Sequence, residues 1–241
     1  MSEKQSIGIF GKIPSHGDFV SKGLPAAFIE SWDHWLQQSM LASQESLGER
    51  WLEHFLVSPI WRFSIPNGCI SNMSWAGIML PSVDSVGRYY PLTLAAQIPS
   101  ELGGFEFVAA ATGWYEQLED VAIGTLEKGL TVDELEQHLG LLNGVLQQPV
   151  REIMPLSPKR HQQHSIPLEF PEQSITSITP MLCDALLKSQ GSTLSIWWTK
   201  GGHHVEPAVL LADRLPRPTS YTALLNGQWE NWHWPNLARG Y

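Results

Sequence analysis

Apolar positions along this chain follow two spacings. Steps of three and four recur at Phe28, Trp32, Trp35, Leu36 and Met40, and again at Leu47, Trp51, Leu52, Phe55 and Leu56. They predict two helices, each with one core-facing side. Pro25 stands where a first helical turn tolerates a residue without an N–H. The stripe Val108, Ala111, Tyr115, Leu118, Ala122 and Leu126 predicts one long helix from Phe105 to Lys128. Another, buried through Val132, Leu135, Leu139 and Leu142, opens on the capping box Thr131-Val-Asp-Glu134, whose end residues can satisfy each other's exposed amides. Thr179-Pro180 reads as a helix start, with threonine as cap. Tyr221 to Leu225 predicts a short last helix.

Runs with strand character lie between these helices. Ile7 to Gly11 is apolar and leads into a polar turn, Lys12 to Asp18. Pro59 to Ile65 alternates Ile60, Arg62 and Ser64 with Trp61, Phe63 and Ile65, the pattern of a half-buried strand. Asn67-Gly68 marks a turn without the flanking alternation of a tight hairpin. Trp75 to Leu80 and Tyr89 to Leu94 predict a strand pair around the charged turn Pro81 to Arg88, with Pro91 confining the second strand to an edge, an end or a bulge. Thr193 to Thr199 and Pro207 to Ala212 predict a hairpin closed by the glycine-bearing segment Lys200 to Glu206. It is too small to bury itself, so it should extend the main sheet or pack on it. Strands in adjacent groups, without strict βαβ alternation, predict an α+β fold: a mainly antiparallel central sheet flanked by helices.

Composition narrows the class. With 241 residues, 43% of them hydrophobic and 16% charged, the chain can bury a sizeable core and is not a disordered polymer. A single domain over 1–241 is expected, with a C-terminal part from 174 to 241. Between 143 and 173 periodicity dissolves among five prolines, and a long surface loop is expected there. The net charge of -9 carries no compensating basic stripe and argues against nucleic acid as partner. No segment has the length for a membrane helix, and the first residues carry no apolar signal core, so a cytoplasmic protein without membrane insertion is expected. Cys69 and Cys183 lack paired zinc-site spacing and read as buried thiols.

Catalytic motifs fail on inspection. Gly8-Ile-Phe-Gly-Lys12 has too few residues between its glycines for a phosphate loop, and Ile13 stands where a magnesium-binding hydroxyl belongs. His203 and His204 with Glu206, or His161 with His164, offer too few convergent ligands for zinc. Ser82 near Asp84 lacks a nucleophile elbow, and Ser15-His16 lacks a supporting acid. No metal, cofactor or catalytic residue is expected. What remains is a candidate partner-binding or structural polar cluster: Lys12, Ser15, Asp18, Arg62, Ser82, Asp84, Arg88 and Tyr89. Turn chemistry accounts for its residue types without a partner. The functional alternatives are a charged docking face, or a small-ligand pocket between the 12–18 and 84–88 turns.

Four ordered blocks carry a resemblance. Gly8 to Phe19, Trp32-Asp-His-Trp-Leu36, Pro59-Ile-Trp-Arg-Phe63 and Pro81 to Thr93 together resemble the TagF family, also called ImpM, encoded with bacterial type VI secretion systems. The match spans residues 7–98 without a departure inside the blocks. Leu194 to Thr199 and Leu215-Pro216 resemble the family's later half less distinctively. The resemblance implies a central antiparallel-type sheet flanked by helices and a cytoplasmic accessory protein without established catalytic residues. It further implies a post-translational repressor that binds and sequesters a forkhead-associated scaffold protein, beside a threonine kinase and phosphatase pathway. Some relatives are fused to a PP2C-type phosphatase domain; at this length the phosphatase would be a separate protein.

Overall fold

A computed structural model describes residues 6–99, 103–143 and 175–237. The expected long loop and the basic cluster Lys159 to His164 lie outside these residues. Seven strands form one sheet in the order β2-β1-β5-β4-β3-β6-β7, antiparallel at every pairing. They are β1 (Ile7–Gly11), β2 (Val20–Lys22), β3 (Trp61–Ile65), β4 (Ser74–Leu80), β5 (Leu92–Ile98), β6 (Leu194–Thr199) and β7 (Ala208–Asp213). The C-terminal hairpin extends the sheet, because β6 pairs with β3.

The strongly apolar strands are central because helices cover both faces, so neither side of the pleat meets water. On one face Trp61, Phe63, Trp75, Met79 and Trp197 meet α1 (Ala26–Leu47) and α2 (Trp51–Leu56). The short α7 (Thr222–Asn226) and a 3-10 turn at Pro218–Tyr221 close that core. On the other face Ile9, Ile78, Leu92, Leu94 and Ile98 meet α3 (Gly104–Ala110), α4 (Thr112–Lys128) and α5 (Val132–Gly140). The period-2 alternation along β4 sorts its side chains between the two cores. Trp32 sits at the centre of the first core, parallel to Trp197 at 6.0 Å, and its indole N–H donates to Thr93 Oγ1 at 2.9 Å.

Five details differ from the sequence reading. The stripe from 105 to 128 is two helices, because Ala111 leaves helical geometry and serves as the N-cap residue of α4. Leu47 ends α1, and a 3-10 turn at Gly48–Arg50 separates it from α2. The strand after the charged turn begins at Leu92, since Tyr89 only bridges Val83 and Pro91 has no N–H for a ladder. Pro180 lies inside α6 (Ile175–Ser189), which starts upstream of the expected cap. β2 was not foreseen, being three residues long and without alternation. The capping box of α5 forms as expected.

Candidate functional site

β1 ends at Gly11, whose φ of +125° suits glycine and whose close approach to Pro91 leaves no room for a side chain: a Cβ would stand 2.0 Å from the Pro91 carbonyl oxygen. The chain therefore passes tightly over the start of β5 and delivers Lys12 beneath the 84–88 turn. That turn closes through the Asp84 N–H on the Arg88 carbonyl (3.0 Å) and the Gly87 N–H on the Asp84 carbonyl (3.1 Å).

Asp84 organises the cluster. Its side chain is 0% exposed, and both oxygens are fully engaged. Oδ1 accepts from the N–H groups of Val86 (3.1 Å) and Arg88 (2.9 Å). Oδ2 accepts from Lys12 Nζ (2.8 Å) and Arg88 Nε (2.7 Å). Burial alone would raise this carboxyl, but Lys12, Arg88 and the two amides hold it well below the usual carboxylate range. Arg88 also donates from Nη2 to the Gly17 carbonyl (2.6 Å), and the Ser82 hydroxyl donates to the Lys12 carbonyl (2.7 Å). The 12–18 and 84–88 turns are thus clasped together. Lys12 Nζ additionally lies 5.0 Å from the centre of the Phe19 ring.

The remaining candidates divide. Ser15 shares the first turn but donates to the Leu130 carbonyl (2.6 Å), tying it to the α4–α5 connection. Asp18 accepts from the adjacent Phe19 N–H. Arg62 stands apart: its strand β3 is three places from β1 in the sheet order. It grips Glu119 of α4 in a two-pronged pair, Nε to Oε1 at 2.7 Å and Nη2 to Oε2 at 2.8 Å, beside the Tyr115 ring. Burial would raise Glu119, but Arg62 and then Lys200, at 3.2 Å, outweigh it and lower its pKa. Tyr89 packs edge-on to Phe55 at 6.3 Å; the neighbouring Tyr90 is the tyrosine that hydrogen-bonds, donating to Asp33 Oδ1 at 2.6 Å.

The polar side chains of the clasp are engaged with one another. Lys12 and Arg88 direct their charge into Asp84, and the Ser82 hydroxyl donates its hydrogen bond to the Lys12 carbonyl. Two concave regions lie elsewhere. One of about 90 Å³ is lined by residues including Asn67, Gly103, Asp184 and Lys188. There Asp184 of α6 accepts from the N–H groups of Phe105 (3.1 Å) and Glu106 (2.8 Å), capping α3 across the fold, while burial raises its pKa. The other is a groove of about 340 Å³ between β7 and the C-terminal segment. Sequence reasoning also missed the imidazole cluster His54–His204–His203, in which His54 is tilted against His204 at 4.6 Å between ring centres and His203 stands edge-on to it at 4.4 Å. Among the described residues no group of three or more His, Cys, Asp or Glu is placed to hold a metal ion.

Comparison with known proteins adds what the geometry does not. Residues 8–142 match the TagF N-terminal domain, described as type VI secretion system-associated. The crystal structure of PA0076 from Pseudomonas aeruginosa PAO1 superimposes with a TM-score of 0.77 at 31% identity, over 98% of each chain. No functionally curated protein matches.

Proposed function

Because this chain belongs to the type VI secretion system-associated TagF family, we propose that it is a non-enzymatic, cytoplasmic repressor of secretion that binds and sequesters a forkhead-associated scaffold protein. The observation that carries this reading is the family match over residues 8–142. The central charges of the polar cluster are consumed by internal pairing, which suits them to joining the two turns. For the same reason a ligand pocket between the two turns is the weaker reading. Repression follows from occupancy, since a scaffold molecule held in one complex is withdrawn from assembly. This repression would be functionally linked to a threonine kinase and phosphatase pathway.

The test is co-purification from cells that carry the secretion cluster, paired with deletion of the gene. The scaffold should be recovered with this protein, and deletion should raise secretion. Recovery of no secretion component, together with unchanged secretion, would sink the proposal.

A further inference from the structure

Among the described residues, seven strands leave the sheet two edges, and they differ. The β2 edge is three residues long. The β7 edge is six residues, Ala-Val-Leu-Leu-Ala-Asp, with no lysine, proline or bulge to blunt it. The phase of its ladder is fixed by the Arg214 N–H, which donates to the Thr193 carbonyl at 2.9 Å. Stepping back along the register, Ala212, Leu210 and Ala208 turn their backbone groups toward β6. Val209, Leu211 and Asp213 therefore turn theirs outward, repeating every ~6.8 Å. No backbone hydrogen bond among the described residues uses that outward row.

The surroundings select what could pair there. Val209 is 68% exposed and lies opposite Trp198 in the register, so the apolar face continues out to the edge. Leu211, Pro216, Trp234 and Pro235 line the groove alongside. Arg214 and Arg217 are exposed at its end, in an otherwise acidic chain, and neither forms an ion pair among the described residues.

Resting on the proposed sequestration, we infer that β7 is the docking edge. An extended segment of the scaffold, apolar at alternate positions and acidic where it passes Arg214 and Arg217, adds as an eighth strand. Backbone pairing supplies affinity, and the Val209–Leu211 face and the two arginines supply selectivity.

Val209→Pro tests this, because it removes an outward N–H and no bond to β6. Val209→Thr keeps the donor and serves as control. Titration of purified scaffold should show affinity reduced at least tenfold for Val209→Pro and little changed for Val209→Thr, with Arg217→Glu weakened too. Hydrogen exchange of the wild-type complex should slow at the Val209 and Leu211 amides, a readout that holds even if the proline variant fails to fold. Unchanged affinity in folded Val209→Pro, or unchanged exchange at both amides, overturns the docking edge and leaves sequestration standing. A wild-type protein that binds no scaffold overturns both. A dimer that Val209→Pro dissociates assigns the edge to a second copy and overturns the inference.

Discussion

At the scale of single residues, Asp84 joins two turns that are far apart in sequence. Lys12 contributes more than Arg88 because its side chain is 5% exposed, whereas that of Arg88 is 56% exposed and partly screened by water. Removing Lys12 leaves a buried carboxylate short of a charged partner. Lys12→Met should therefore lower the thermal midpoint by about 5 °C or more, and Arg88→Ala by about half that. Scaffold affinity per folded molecule should stay unchanged in both, as calorimetry and titration can show. The pH dependence has a definite sign. The Asp84 carboxyl is depressed in the folded state, so its stabilisation is complete above the ordinary aspartate value of about 4 and is lost as pH falls below it. Asp84→Asn should be less stable at neutral pH but show a shallower loss of midpoint between about pH 5 and pH 2. The residue types of this clasp were legible in the sequence as turn formers. A bond from Arg88 to Asp84, four positions apart, was also within reach of the sequence, but the Lys12–Asp84 pair was not, because these two are 72 positions apart and the β1–β5 pairing brings them together.

At the scale of elements, helical and strand periodicity identified α1, β1, β3, β4 and the C-terminal hairpin, since each buries a face wide enough to impose its spacing on the chain. Periodicity did not reveal the break at Ala111, because α3 and α4 line the same core and continue one stripe across it. Nor did it place Glu119, a charge on the α4 stripe whose partner Arg62 comes from the sheet. Contacts between α2 and the β6–β7 connection were equally hidden. There the His54 ring lies against His204, which meets His203 edge-on and approaches Glu53 Oε1 at 3.8 Å, with Arg50 nearby. Burial, then His204, lowers the His54 pKa against the weaker pull of Glu53. The unfolded chain thus takes the proton first, and stability present above about pH 6.5 declines below it. A thermal midpoint that is flat from pH 8 to 7 should begin to fall by about pH 6, and His54→Phe should flatten that limb. An unaltered slope in the variant would show that other groups govern this range.

At the scale of the molecule, two cores share one sheet, and each is completed by residues distant in sequence. The fold class was readable because strand grouping and helix order constrain it. The strand order was not, since nothing local announces that β6 returns to pair with β3. That return also means that the matched stretch ending at residue 142 is not closed by its own residues. The indole N–H of Trp35 donates to the Pro216 carbonyl and that of Trp61 to the Leu224 carbonyl, while Trp197 lies parallel to Trp32. Produced alone, fragment 1–143 would expose the pairing edge of β3 and several tryptophan rings. Co-expressed with fragment 175–241, it should recover a native-like tryptophan fluorescence spectrum that neither piece gives separately. Two pieces that never associate would show that the covalent link between them is indispensable. With association, the protein becomes a split reporter whose halves recognise each other through β3 and β6.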